Sequence, residues 1–230
     1  MKAEHAERAA SAQFDAHATN YDALHQASVS ASGEPTRYFA EYKLGCLERL
    51  GVGPGEPLLD FGCGIGNLLE VLEGRFTEIH GYDPSQRSLE VAAKRAPSVK
   101  LHHDLANVPN DYFQVAVLSG VLHHIPPAER LEVMQSVVKK LRPGGRVIVF
   151  EHNPWNPLTR RAVAACEFDD DAILLWPWSL KSLLAEAGLA RPALEYIVFF
   201  PRVLAKLRWL EPRLSWLMLG AQQLAYASKA

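Results

Sequence analysis

Nothing in these 230 residues reaches the run of about 18 apolar residues that would span a bilayer. Met1-Lys-Ala-Glu-His-Ala-Glu-Arg8 leads into no apolar stretch of the kind a secretion signal carries. Cysteine is scarce: Cys46, Cys63 and Cys166 are scattered without paired spacing, which points to a reducing compartment. The cytoplasm is therefore the expected location. Charge of one sign is lacking as well, since 24 Lys and Arg stand against 26 Asp and Glu for a net −2. With no basic run, a DNA or RNA partner is disfavoured. No internal repeat is found, and the length suits one sizeable α/β core with additions but is short for two.

What is present is a glycine loop. Leu58-Leu-Asp-Phe-Gly-Cys-Gly-Ile-Gly-Asn67 carries an apolar strand into three alternate glycines, and a second strand, Glu78-Ile-His-Gly-Tyr-Asp83, ends on an acid. Glycines let the backbone turn sharply and approach a ligand closely, and the helix that follows directs free N–H groups at the same place. Asp83 lies roughly 20 residues after Gly62, where a carboxylate at a strand end can accept both ribose hydroxyls. A tight turn beside a solvated acid is the alternative. The dinucleotide fingerprint needs glycine where Asn67 stands, so the spacing here is G-x-G-x-G.

A helix at about 36–50 is stopped by Gly51-Val-Gly-Pro-Gly55. Strand patterns at 58–61, 77–83, 98–102, 113–119 and 145–151 then alternate with helical patterns at 65–74, 85–95 and 127–141. Such alternation argues for a parallel sheet covered on both faces, with ligands beyond the carboxyl ends of its strands. Asp60, Asp83, Asp104, Ser119 and Glu151 all fall at such ends.

The glycine loop, Gly81-Tyr-Asp-Pro-Ser85, His103-Asp-Leu-Ala-Asn-Val-Pro109, Ser119-Gly-Val-Leu-His-His-Ile-Pro126 and Leu141-Arg-Pro-Gly-Gly145 together resemble class I S-adenosylmethionine-dependent methyltransferases, in order and spacing over about residues 36–152. The resemblance implies an α/β, Rossmann-like fold: a seven-stranded, mostly parallel sheet with helices on both faces and an antiparallel C-terminal edge hairpin. It divides the chain into an N-terminal lid (1–35), a cofactor-binding core (36–152), a substrate-site insertion (153–178) and a completion of the sheet (179–230). The family usually has an aspartate where Gln114 stands.

By this resemblance Gly62, Cys63, Gly64 and Gly66 line the methionine and ribose side of the pocket, and Asp60 holds the loop or reaches the cofactor's amino group. Asp83 anchors the ribose, Tyr82 and Pro84 flank the adenine, and Asp104 with the Leu105 N–H meets the adenine amino edge; Ser119 completes the set. A turn residue is the alternative for Asp104. Cys63 reads as a pocket filler, because no base is marked for it. Ser85 reads as the N-cap of the next helix. Within Phe14-Asp-Ala-His-Ala-Thr-Asn-Tyr-Asp22, Tyr21 resembles a lid aromatic that closes over the sulfonium; a helix packing Phe14 and Tyr21 on the core is equally open.

Methyl transfer from a sulfonium needs alignment more than acid catalysis, and a base only where the acceptor carries a firmly held proton. His123, His124, Glu151 and His152 are the candidates, with a loop-fixing role favoured for His124. Specificity is expected in the insertion, where Arg160 and Arg161 could clamp an anion, and Asp169 to Asp171 could bind an amine, sugar hydroxyls or a divalent metal. A solvated helix face and an acidic helix start are the plainer readings, and no residue is assigned to a metal. Ser179 is an expected N-cap for Leu180–Ala187, with Gly188 at its end. The apolar stretch at about 202–219 is expected to be helical, packed on the core or on a second subunit, or else a surface for peripheral membrane contact or an apolar substrate, with Lys206 and Arg208 beside Trp209 and Leu210. The sequence thus predicts a monomeric or homodimeric methyltransferase acting on a small molecule, with oxygen the first acceptor atom and nitrogen or carbon behind it. A nucleotide-cofactor enzyme of similar fold and a non-catalytic cofactor-binding protein are the competing readings.

Overall fold

Short strands alternating with amphipathic helices assemble into one twisted sheet in the computed structural model, which describes residue 26 and residues 32–166 and 169–230. The strands are β1 (Leu58–Phe61), β2 (Ile79–Tyr82), β3 (Lys100–His102), β4 (Phe113–Ser119), β5 (Leu141–His152), β6 (Leu189–Ile197) and β7 (Gln222–Lys229). Their order is β3-β2-β1-β4-β5-β7-β6. β1 to β5 pair in parallel, and β7 lies antiparallel to both β5 and β6, so it alone runs against the rest. The expected seven-stranded architecture is what forms.

The helices are α1 (Thr36–Arg49), α2 (Asn67–Leu72), α3 (Gln86–Arg95), α4 (Arg130–Lys140), α5 (Pro157–Ala164), α6 (Pro177–Glu186) and the short α7 (Glu211–Leu214). Successive strand residues point to opposite faces, and here both faces are apolar. Leu58, Val115, Val117 and Ile148 pack with Leu47 of α1 and Leu69 and Leu72 of α2. Leu59, Ala116, Leu118, Val147 and Val149 pack with Met134 and Val137 of α4 and Leu180 and Leu184 of α6. Strands buried on both faces need helices on both, and the crossovers supply them. The chain changes its direction of winding between β1 and β4, which opens a crevice at their carboxyl ends.

Several local expectations hold and several shift. The Ser85 hydroxyl accepts the Ser88 N–H at 3.1 Å and caps α3. Ser179 does not cap α6: that helix begins at Pro177, after Trp176 in extended conformation. Proline at the first helical position has its φ already set and loses no needed donor. Helix α4 ends at Lys140, and β5 takes in the Pro-Gly-Gly turn, with Leu141 opposite Phe113 and Arg146 opposite Val115. The Lys140 ammonium donates to the carbonyls of Leu105 and Val108 and to Asn110, pinning the turn after β3.

The 202–219 stretch does not pack its apolar side on the core. Arg202–Leu210 is a 3₁₀ segment without a buried residue, kinked at Leu204. It is held to α1 by polar contacts: Arg208 pairs with Glu34 at 2.6 Å and lies 4.4 Å over the Tyr38 ring, and buried Glu211 accepts from Tyr42 and from the Phe199 and Phe200 N–H groups. Arg208 therefore turns inward, and Val203, Trp209, Trp216 and Leu219 face out. Among the described residues no helix is long and apolar enough to cross a membrane.

Candidate functional site

The loop after β1 is shaped by where glycine is needed. Gly62 and Cys63 donate their N–H groups to the Tyr82 carbonyl at 2.7 and 3.0 Å, stitching the loop to β2. Gly66 stands just before α2 with φ +83°, and a Cβ there would lie 3.0 Å from Cα and Cβ of Ala92 in α3. Gly66→Ala is accordingly expected to cost about 2 kcal/mol or more from the left-handed backbone and the forced shift of α3. Denaturant unfolding measures it, and a loss below about 0.5 kcal/mol would mean that the loop has slack.

Three charged side chains line the cavity beside this loop. The Asp83 carboxylate accepts the Gly64 N–H at 2.8 Å through one oxygen and the Ser85 N–H at 2.9 Å through the other. Asp60 is buried, and neither of its oxygens accepts a hydrogen bond. Burial raises its pKa to about 7, against the pull of Lys43. Lys43, from α1, reaches over Phe150 to donate to the Ser119 hydroxyl at 2.7 Å. Burial lowers its pKa, with Asp60 and Glu151 opposing. Cys63 is buried with its thiol pushed up by burial, as suits a filler.

Beyond β4 and β5 the same cavity is lined by an ionisable cluster. Glu151, at the end of β5, accepts the Val121 and Leu122 N–H groups through one oxygen, at 3.1 and 2.8 Å, and the other lies 2.6 Å from Nδ1 of His123. His123 Nε2 faces Oδ1 of Asp169 at 3.5 Å, and His124 Nε2 faces the same oxygen at 3.4 Å. The His152 ring lies 5.0 Å from that of His123. Burial alone would lower the His123 pKa, but Glu151 and Asp169 outweigh it and raise it to about 9. Burial, reinforced by His123, drives His124 and His152 down to about 4 and keeps both neutral. Glu151 and Asp169 stay ionised despite burial because the histidines hold their pKa values down.

Residues 36–203 match a family model described as a methyltransferase domain, which covers most of the chain. The chain belongs to the class I S-adenosylmethionine-dependent methyltransferases. It is 30% identical over 152 residues, 62% of its length, to an uncharacterized methyltransferase of Synechocystis, and covers 70% of that protein. It is 31% identical over 121 residues to a 2-phytyl-1,4-naphtoquinone methyltransferase of Synechococcus elongatus, matching 47% of this chain. The chain spans about half the length of that relative, 51%. The fold also matches a magnesium protoporphyrin IX methyltransferase of Synechocystis with bound S-adenosylhomocysteine, at TM-score 0.67 and 16% identity, over 98% of this chain and all of that one.

The methyltransferase's own cavity fits S-adenosylmethionine. A Cβ on Gly62 would lie 2.6 Å from a Val121 methyl carbon, so the loop is closed to side chains. The orphaned carboxylate of Asp60 suits an ammonium, and Lys43 is a cation in the same cavity. Of the residues singled out in the sequence, Asp60, Gly62, Cys63, Gly64, Tyr82, Asp83, Pro84, Ser119, His123, His124, Glu151, His152 and Asp169 line it. Gly66 does not; it packs on Ala92 behind the loop. Asp104 is exposed and caps the 3₁₀ turn Leu105–Asn107 by accepting the Ala106 N–H at 2.8 Å, so here it is a turn residue; neither it nor Leu105 lines the cavity. Arg160 and Arg161 are exposed on α5 and away from the lining, because the helix turns Ala162 and Val163 to the cavity instead. Asp171 is exposed, 3.5 Å from His124 Nδ1. Tyr21 and Phe14 lie outside the described residues. Lys43 was not legible as a site residue, although one signal points to it: it is a cation on the stripe of Ala40, Leu44 and Leu47 that α1 buries.

Proposed function

We propose that the protein transfers the methyl group of S-adenosylmethionine to an oxygen of a small, ring-bearing apolar molecule. The observation that carries the cofactor half is the buried carboxylate of Asp60 without a donor, beside Lys43 and the glycine loop. Asp60 then binds the amino group and Lys43 the carboxylate of the methionine moiety. Asp83 binds the ribose hydroxyls from the end of β2, beside the Gly64 and Ser85 N–H groups that it already accepts. Pro84 and Tyr82 flank the adenine. Tyr21, from the lid segment, covers the sulfonium, a contact worth about 0.5–2 kcal/mol by analogy with ammonium over a ring.

The cofactor supplies its methyl on a sulfonium, whose departure needs no acid, so the acceptor's alignment for in-line displacement dominates. The His123, His152 and Asp169 cluster orients an acceptor hydroxyl, whose proton is released to solvent water as the oxygen attacks. Glu151 fixes the angle of His123 and favours its charged form, and His124 braces the loop. An apolar acceptor is supported by the apolar part of the cavity lining, which includes Phe39, Ile125, Val133 and Phe150. The naphtoquinone in the name of the Synechococcus relative supports an apolar ring as acceptor.

Two measurements test this reading. Calorimetry should show heat with S-adenosylhomocysteine; heat with NAD and none with S-adenosylhomocysteine would overturn the cofactor. Labelled methyl transfer into a panel of phenols, quinols, amines and carbon acids should place label on oxygen; label on nitrogen or carbon alone would overturn the acceptor atom.

A further inference from the structure

We infer that His123, His152 and Asp169 form a binding site for a first-row divalent metal ion such as zinc or manganese. One ligand atom from each lies within 4.8 Å of the others, in the wall of the cavity. The three come from separate parts of the chain: the turn after β4, the end of β5 and the insertion after α5. With metal–ligand bonds of about 2.0–2.1 Å, neighbouring ligands in a tetrahedral site stand about 3.4 Å apart. The 3.5 Å between His123 Nε2 and Asp169 Oδ1 already matches that edge. The remaining separations, within 4.8 Å, are ones the bound ion would draw in.

Two features distinguish this cluster from a chance gathering of polar groups. First, Oδ1 of Asp169 is buried and accepts no hydrogen bond, although the residue is only 8% exposed. A buried carboxylate oxygen is ordinarily hydrogen-bonded, and one that instead meets two imidazole nitrogens at 3.4 and 3.5 Å without hydrogen-bond geometry is placed as a ligand would be. Second, His123 is held from behind. Its Nδ1 is bound by Glu151 at 2.6 Å, and Glu151 is itself fixed by two backbone N–H groups. A carboxylate on the far nitrogen fixes the ring and raises its basicity, which is how ligating histidines are commonly supported. That leaves Nε2 as the nitrogen facing Asp169.

Two imidazoles and one carboxylate make a mixed nitrogen and oxygen set that suits zinc, manganese or ferrous iron and leaves positions open. The open positions face the cavity, where a phenol or enol oxygen would find them. That last step rests on the methyl-transfer reading; the binding of the ion does not.

The test is made on the full chain, freed of metal with chelator and dialysed. Titration with cobalt(II), followed in the visible, should give one tightly bound equivalent, displaced by zinc, with nitrogen and oxygen ligand bands and no thiolate charge-transfer band. Asp169→Asn and His152→Gln should each weaken binding at least tenfold, with circular dichroism unchanged. If one variant fails to fold, the other decides, and the native spectrum stands by itself. No stoichiometric cobalt, a thiolate spectrum, or affinity unchanged in both folded variants would overturn the site. Binding of S-adenosylhomocysteine by the same preparations separates the two readings: ion without cofactor would leave the metal site standing and sink the methyl-transfer reading, and cofactor without ion would do the reverse.

Discussion

Asp83→Ala is expected to weaken S-adenosylhomocysteine binding about 10- to 100-fold, because one carboxylate does three jobs. It binds the ribose hydroxyls in the proposed complex, and hydrogen bonds to a charged group contribute about 1.5–3 kcal/mol each way they are lost. It also holds the Gly64 N–H at 2.8 Å and the Ser85 N–H at 2.9 Å, so the glycine loop and the start of α3 lose their common tether. Asp83→Asn keeps an acceptor oxygen and should fall between the wild type and the alanine variant. Calorimetry on all three proteins reads the series. An unchanged affinity for Asp83→Ala would mean that the ribose is held elsewhere.

Glu151→Ala is expected to cost about 3–5 kcal/mol of folding stability, the range for breaking one side of a buried ion pair. Glu151 is 2% exposed, and its loss leaves the Val121 and Leu122 N–H groups without their acceptor and His123 without the partner on Nδ1. For a chain of this length that is a fall of roughly 6–20 °C in melting temperature. Glu151→Gln keeps an acceptor for the two N–H groups and should lose about half as much, while methyl transfer still falls about 100-fold because the charge and angle of His123 are no longer set. Urea unfolding and initial rates separate the two effects. A stability loss under about 1 kcal/mol for the alanine variant would show that water replaces the carboxylate.

Much of the cofactor side was legible in the sequence because it is local. The glycine loop, the acid at the end of β2 and the N-cap at Ser85 each depend on a few consecutive residues whose backbone needs are written in their types. Both faces of the sheet could be anticipated from the alternation of strand and helix patterns along residues 58–151. The acid at Asp104 shows the limit: the same residue type at a strand end caps a turn, and spacing does not say which way its carboxylate points. Ser179 failed as a cap because Pro177 starts the helix two residues earlier.

What the sequence determined by itself is therefore the winding of the core and the place of the glycine loop, since strand period, turn chemistry and capping act between near neighbours. What only the tertiary structure decided is the company each ionisable group keeps. Lys43 and Asp60 come from a helix and a strand 17 positions apart and share one cavity, and Asp169 crosses from the insertion to meet histidines at the ends of β4 and β5. Arg160, Arg161 and Arg208 were likewise sorted by packing, the first two out to solvent and the third inward onto Glu34 and Tyr38. Charge and burial acquire meaning together, and burial is a property of chain segments brought together from far apart in sequence.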